Sequence, residues 1–256
     1  MNFLNNNIIL FIVFLSVAGC GDHTDQTLSP AKDAHWVTVL FKVPDGTMLQ
    51  PMQVMYRSDI CKDTSKNSSG ESYDIKGING FKQAFTKEKD GNTWKTQIAI
   101  EGGGSCQWML NSIKISFHIN NSNPLVHDRN NLSTNYILDF DKYGFSDGYG
   151  TGSAKESQGD FVINTDFFPM ITTLSRSGNE YVELFGGNVD SNQWTRRFNV
   201  HHINKILIEP VVHMDKIVVL SSAKGKPSGL EITYPDGSIG PVHQTIPDYE
   251  KLLSMK

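Results

Sequence analysis

The clearest catalytic motif in this sequence is Gly144-Phe145-Ser146-Asp147-Gly148, which fits the G-x-S-x-G pattern of a nucleophile elbow. Such an elbow holds its serine on a sharp turn between a strand and a helix, and Tyr149-Gly150-Thr151 is a poor start for a helix. The base would have to be His201 or His213, and nothing in the sequence places either one beside Ser146. A serine esterase that uses Ser146 is therefore only an alternative.

Two adjacent histidines, His201 and His202, are the best candidates for metal ligands. Adjacent side chains on a strand point to opposite faces, so we expect one inward and one outward histidine that cannot share an ion. No H-E-x-x-H motif is present, and no carboxylate lies at ligand spacing from the pair. The sequence predicts no metal site, no cofactor and no catalytic residue, and hence a protein that is not an enzyme.

The N-terminus carries chemistry of a different kind. Residues 8–17 form a ten-residue apolar block, which is too short to span a bilayer but suits the core of a signal peptide. Ala18-Gly19-Cys20 follows and resembles a bacterial lipobox, in which the cysteine is acylated, for example with palmitate, and the chain is cut before it. Gly21 stands where Asp would retain a Gram-negative lipoprotein at the inner membrane. We therefore expect a lipid anchor at Cys20 in the outer membrane, facing the periplasm.

The two remaining cysteines, Cys61 and Cys106, form an even pair, which in an oxidising compartment predicts a disulfide. Gly102-Gly103-Gly104 precedes Cys106 and allows positive φ values and a close approach of backbone, which favours a tight turn locked by that disulfide. Trp108 would share a face with Cys106 and pack on the bridge.

Composition excludes several classes of protein. The chain has 256 residues, of which 38% are hydrophobic and 20% charged, so it can bury a real core. Its formal charge is −4 with no basic run, which argues against nucleic acid as a partner. No apolar run of membrane-spanning length follows residue 20.

The body of the chain reads as short strands separated by Gly, Asn, Asp and Pro. Two segments are typical. Trp36–Val43 is rich in β-branched and aromatic residues, and Thr93–Glu101 alternates cleanly between apolar and polar residues. The spacing predicts an all-β fold: an antiparallel β-sandwich or two packed β lobes, with a short C-terminal helix over Pro247–Met255.

The predicted organisation follows composition. We expect a signal peptide at 1–19 and a lipidated polar tether at 20–34. An N-terminal β lobe with the disulfide should follow at 35–119, then a polar linker at 120–134 and a C-terminal β lobe at 135–256.

Several motifs together resemble a known family. They are Tyr56-Arg57-Ser58 with Cys61, the three glycines with Cys106 and Trp108, Phe168-Pro169, and Tyr234-Pro235-Asp236-Gly237 followed by Pro247-Asp248-Tyr249 and Leu252. This set is similar to Gram-negative lipoproteins that act as immunity proteins against type VI secretion lipases. The resemblance covers nearly all of residues 35–253. It implies a lipoprotein that binds a phospholipase toxin at the membrane and blocks its access to substrate.

A binding protein of this kind needs exposed loops that carry aromatic and charged anchors. The Gly-rich segment 141–160 predicts such a loop, with partner-binding candidates Asp141, Tyr143, Phe145, Asp147 and Tyr149. A periplasmic glycan-binding or envelope-assembly lipoprotein is the alternative from another class, and an aromatic-lined groove would favour it.

Overall fold

The computed structural model describes residues 24–89, 91–142, 144–145, 154–174, 178–187, 196–222, 230–241 and 246–256. These ranges contain seventeen β-strands, one 3₁₀ helix (η1, Pro124–Val126) and one α-helix (α1, Tyr249–Leu253). The strands are β1 (Trp36–Lys42), β2 (Thr47–Leu49), β3 (Met52–Lys66), β4 (Ser72–Gln83), β5 (Thr86–Lys87), β6 (Thr93–Ala99), β7 (Glu101–Gly103), β8 (Trp108–Ile119), β9 (Asn130–Asn131), β10 (Thr134–Asp139), β11 (Lys155–Gln158), β12 (Phe161–Thr173), β13 (Glu180–Gly186), β14 (Arg197–His201), β15 (Lys205–Val212), β16 (Val218–Ser222) and β17 (Leu230–Thr233). The all-β class and the short C-terminal helix are thus confirmed.

The strands form two sheets that pack as a β-sandwich. Sheet A has the order β11-β14-β10-β8-β3-β4, and β2 and β7 also pair with β8. Sheet B has the order β17-β16-β12-β15-β1-β6-β5, with β13 on β12 and β9 on β13. The expected sandwich is confirmed, but both sheets are mixed rather than purely antiparallel. For example, β1 pairs in parallel with β15 and antiparallel with β6, because strands distant in sequence lie side by side.

The predicted linker 120–134 connects β8 to β10, which are neighbours in sheet A. It contains η1 and β9, and β9 pairs with β13 of sheet B. Strands from 35–119 and from 135–256 are present in each sheet. The two expected lobes therefore share both sheets.

Alternation along the strands builds the main core between the sheets. In β1, Val37, Val39 and Phe41 are fully buried, whereas the residues between them are not. The centre of the core is aromatic: the rings of Phe41 and Phe117 lie 5.3 Å apart, and Phe117 also meets Phe167 edge-on at 5.3 Å.

A second, smaller core lies under the C-terminal segment. It is built by residues of β12, β13, β16 and β17 together with α1: Phe168, Met170, Phe185, Val218, Leu220, Ile232, Tyr234 and Leu252. Asp248 caps α1, since its side chain accepts a hydrogen bond from Lys251 N at 3.1 Å. The helix is shorter than the predicted span Pro247–Met255 but lies inside it.

Candidate functional site

One end of the sandwich has a cleft of about 730 Å³. It opens where β10 stops: Asp139 pairs with Ser112 of β8 and Asn199 of β14, and both of those strands extend past this point, to Trp108 and His201. Beyond Asp139 the pairing with β14 stops, although Phe140 N and Asp141 N still donate to Asn111 O of β8, so a gap opens beside the end of β14. The lining residues are His35, Arg57, Asp59, Ile60, Lys76, Ile100, Gln107, Met109, Leu110, Phe140, Asp141, Val200, His201, His202, Ile203 and Asn204.

Arg57 is the cationic anchor of the cleft. It lies on β3 between Ile78 of β4 and Met109 of β8. Its Nε is buried and has no hydrogen-bond partner among the described residues. A buried donor left without a partner costs about 1–3 kcal/mol. The guanidinium of Arg57 also lines the cleft, where it would pair with a carboxylate, a phosphate or a backbone carbonyl brought by a binding partner.

A second charged group flanks Arg57. Lys76 Nζ lies 3.2 Å from Asp59 Oδ2 and 3.7 Å from Asp141 Oδ2, so one lysine bridges two carboxylates. The two aspartates are well exposed, and exposed ion pairs contribute little stability. The group therefore supplies charge at the rim of the cleft rather than strength to the fold.

Exposed apolar side chains stand beside these charges. Ile60 is 56% exposed and Met109 is 47% exposed, although both lie in or next to regular strands. Burying such side chains against a partner would gain roughly 25 cal/mol per Å² of apolar surface.

The two histidines do not behave as a strand pair. β14 ends at His201, and His202 adopts a left-handed conformation with φ 51°, so both side chains are exposed at the cleft. The expectation of one inward and one outward histidine is wrong, because the strand stops between them. His201 Nε2 lies 3.1 Å from Glu156 Oε2. The hydrogen bond from Asn199, and then that with His201, lowers the pKa of Glu156.

The disulfide stands at the same end of the molecule. Cys61 and Cys106 are bonded, with their Cα atoms 5.3 Å apart, which confirms the predicted pairing. Trp108 is fully buried in the same core cluster as Cys106, as expected. The bridge ties β3 to the turn before β8 just where the hairpin of β3 and β4 leaves the sheet, so it supports the wall of the cleft that carries Arg57.

The three glycines form a turn and also let the N-terminal segment approach the backbone closely. Gly103 and Gly104 have φ values of 63° and 73°, as expected for a tight turn. A Cβ on Gly103 would lie 2.4 Å from Ser29 O, and one on Gly104 would lie 2.4 Å from Thr27 O. The N-terminal segment therefore packs directly on this backbone.

The stem of the loop expected at 141–160 is anchored on sheet A. Asn111 Nδ2 donates to Lys142 O at 2.6 Å, and Phe145 N donates to Ser112 Oγ at 3.2 Å. Beside them, burial raises the pKa of Asp139, and the hydrogen bond from Arg197 Nε at 2.5 Å offsets this only in part.

The structure describes two of the five predicted partner-binding residues. Asp141 lines the cleft through its contact with Lys76, and Phe145 lies under Lys114, whose Nζ is 5.4 Å from the ring centre. Tyr143, Asp147 and Tyr149 lie outside the described residues, as do Ser146 and Cys20. Arg57, Ile60, Lys76 and Met109 were not among the predicted site residues.

The other histidine considered as a base has its own partner. His213 Nε2 lies 2.6 Å from Asp166 Oδ1, and Lys256 Nζ lies 3.1 Å from Asp166 Oδ2. Within the described ranges, no group of three or more His, Cys, Asp and Glu side chains is placed to hold a metal ion. In the same ranges, no helix has the length and apolarity needed to cross a membrane.

Comparison of the chain with protein-family models, with curated proteins and with solved structures finds no match. The candidate site is therefore defined by its own geometry. Its parts are the buried Nε of Arg57, the exposed Ile60 and Met109, and the disulfide that braces them.

Proposed function

We propose that this protein is a lipid-anchored lipoprotein of the outer membrane, facing the periplasm, which binds and inhibits a cognate type VI secreted phospholipase and catalyses no reaction itself. The lipobox at Cys20 supports the compartment, and the family resemblance supports the class of partner. The Cys61–Cys106 disulfide fits an oxidising compartment.

The observation that carries the binding role is the guanidinium of Arg57, which lines the cleft together with the exposed Ile60 and Met109 and has no hydrogen-bond partner at its buried Nε. Arginine is enriched at the centre of protein interfaces, where it pairs with carboxylates or carbonyls inside an apolar surround. The matching segment of the phospholipase would carry an oxygen acceptor for Arg57 and an apolar side chain for Ile60 and Met109.

Inhibition by this mechanism requires only that the bound protein covers the path of lipid into the enzyme. The cleft walls are strands and a disulfide-braced turn, so little ordering entropy would be lost on binding. Rigid surfaces of this sort give tight complexes without large interfaces.

The glycan-binding alternative predicts aromatic platforms. Phe140 is the only Phe, Tyr or Trp among the described residues that line the cleft. The geometry therefore favours a protein partner.

The proposal is tested by affinity purification of the mature protein carrying Cys20→Ser, from cells that produce their own type VI effectors. We expect one phospholipase at equal stoichiometry, with its activity lost in the complex. Recovery of glycan without any phospholipase would overturn the proposal and support the alternative.

A matched pair of variants tests the cleft itself. Arg57→Gln removes the charge-assisted hydrogen bond, which is worth about 1.5–3 kcal/mol, so the complex should weaken by roughly ten- to a hundredfold. Lys82→Gln removes an exposed cation from β4 outside the cleft and should leave the affinity unchanged. Equal affinities for the two variants would show that the phospholipase binds elsewhere.

A further inference from the structure

The polar segment that precedes β1 is docked on the body over most of its described length. Asp25 O accepts a hydrogen bond from Trp108 Nε1 at 3.1 Å, and Gln26 O accepts one from Asn79 Nδ2 at 2.7 Å. Asn79 and Trp108 are both buried, so these contacts are shielded from water.

Further contacts hold the same segment to the glycine turn. Ser29 N donates to Gly102 O at 2.8 Å, and Ser105 Oγ donates to Asp25 Oδ2 at 2.6 Å. The bond from Ser105, followed by those from Thr27, lowers the pKa of Asp25 to about 2, so the carboxylate stays charged in neutral solution. Residues 25–29 are therefore part of the folded body, whereas a tether had been expected over 20–34.

Docking at Asp25 limits the length of chain between the body and the proposed anchor. Cys20 and Asp25 are five residues apart. At about 3.3–3.6 Å per residue, this segment spans no more than about 18 Å even when fully extended. An acylated Cys20 would hold Asp25, and with it the disulfide turn, within that distance of the lipid.

The opposite end of the sandwich lies much farther away. Met109 stands near the first residue of β8, and Met48 pairs with His118 near its last residue. Positions 109 and 118 are nine residues apart along β8, which is about 30 Å at 3.3 Å per residue. The two ends of β8 thus differ in their distance from Asp25 by more than the segment from Cys20 to Asp25 can span.

The end near Asp25 also carries a side chain suited to a lipid surface. Trp36 at the start of β1 is 46% exposed. Tryptophan gains by contact with the headgroup region, where the ring is partly buried and its N–H stays hydrated.

A two-stranded arm extends in addition beyond the disulfide. Lys62–Lys66 pairs with Ser72–Lys76, and the pairing of β3 with β8 ends at Arg57. The arm therefore has no third strand among the described residues. It projects about 17 Å from its base, at roughly 3.3 Å per residue. This length is similar to the greatest span of the segment from Cys20 to Asp25.

We infer that the end of the sandwich that holds the Cys61–Cys106 disulfide faces the membrane, and that Trp36 and the β3–β4 arm lie at the phospholipid headgroups. This inference rests on the lipid anchor of the proposed function, but not on the identity of the partner. It places the mouth of the cleft at the surface on which a phospholipase works.

Energy transfer to labelled lipid tests this orientation. The full-length lipoprotein is reconstituted into vesicles of phosphatidylethanolamine and phosphatidylglycerol whose headgroups carry an acceptor dye. A donor dye is attached at Met109→Cys or, as the matched control, at Met48→Cys. These two exposed methionines lie at opposite ends of β8 and are 47% and 43% exposed.

We expect higher transfer efficiency from position 109 than from position 48. Insertion of twenty Gly and Ser residues after Gly21 lengthens the segment between Cys20 and Asp25 without altering the body, and the difference between the two positions should then be lost. Equal transfer from both positions in the uninserted protein, or higher transfer from position 48, would overturn the orientation.

Vesicle flotation distinguishes a failure of the lipid anchor from a failure of the orientation. Protein that floats with its vesicles and shows equal transfer would overturn the orientation alone. Protein that fails to float would show that Cys20 carries no lipid, which overturns both the anchor and the orientation. Neither readout involves a phospholipase, so failure of the inhibitor proposal would be seen separately.

Discussion

The two ends of the chain are attached to the sandwich in different ways. At the disulfide end, residues 25–29 lie on the backbone of Gly102–Gly104, and a covalent bridge locks the turn. The C-terminal segment instead rests on the small second core, and polar side chains hold it at its edge. The first attachment depends on backbone shape and a covalent bond, and the second depends on side-chain packing and charge. The cleft lies at the end that the covalent bridge holds.

The largest effect should come from removing the bridge. Cys61→Ala together with Cys106→Ala opens a loop with a sequence separation of 45. In the chain-entropy model this lowers the free energy of unfolding by about 4 kcal/mol. Urea unfolding of the double variant and of the reduced wild-type protein should give the same loss. A loss close to zero in both would show that packing alone holds the disulfide end.

The second core should lose somewhat less when its helix anchor is truncated. Leu252 is fully buried, and Leu252→Ala is expected to cost about 3 kcal/mol through lost burial and the cavity left behind. Leu253 is only partly buried at the edge of the same core, so Leu253→Ala should cost clearly less. Urea unfolding measures both losses. Hydrogen exchange of α1 should accelerate in the Leu252 variant while that of β8 stays slow, and equal acceleration in both elements would contradict separate cores.

The glycine contact can be isolated with a matched pair. Gly70 has φ +82° with open space around its Cβ position, so Gly70→Ala should cost about 1 kcal/mol from the left-handed backbone alone. Gly103→Ala carries the same backbone cost and adds a clash with Ser29 O, so we expect at least about 2 kcal/mol. Thermal or urea unfolding compares the two. Equal losses would mean that residues 25–29 contribute nothing to stability.

The smallest effect should be the pH dependence of the C-terminal attachment. Burial raises the pKa of Asp166, but hydrogen bonds from His213 and Lys256 outweigh it, and the pKa is held below its ordinary value of 3.8. The contribution of Asp166 is therefore fully present above that ordinary value, and it is lost as the pH falls through the lower folded-state value.

Asp166→Asn should accordingly cost about 1 kcal/mol at neutral pH, since the partner charges are partly exposed. The difference from wild type should shrink as the pH is lowered below 3.8. Unfolding curves measured at several pH values test this. A difference that stays constant down to the lowest pH would contradict a role for the charge.

The fold class could be predicted because apolar and polar residues that alternate with a period of two indicate which side of a strand is buried. Val37, Val39 and Phe41 show it in β1, and the disulfide followed from an even cysteine count. The parallel pairs were not readable, because nothing local in β1 indicates that β15, more than 160 residues later, lies beside it. Strand order depends on long-range packing rather than on local pattern.

The site was only partly predictable for a similar reason. Asp141 was found through its Gly-rich loop, whereas Arg57 and Met109 sit on strands, where an outward polar or apolar residue is ordinary. The cleft that they line forms because β10 ends at Asp139. Sequence alone does not fix the residue at which a strand ends. The polar composition of residues 20–34 predicts a tether, although residues 25–29 are docked on the body. Their hydrogen bonds are to partners some 50 to 80 residues away.

The proposed function requires that this protein inhibits a phospholipase by binding it. The most direct measurement is a titration of purified protein into the type VI phospholipase of the same cells, with hydrolysis of phosphatidylethanolamine and phosphatidylglycerol vesicles as the readout. We predict that activity falls linearly to zero at one inhibitor per enzyme, and that Arg57→Gln shifts the curve to higher concentration. Full hydrolysis in the presence of excess protein would contradict the claim.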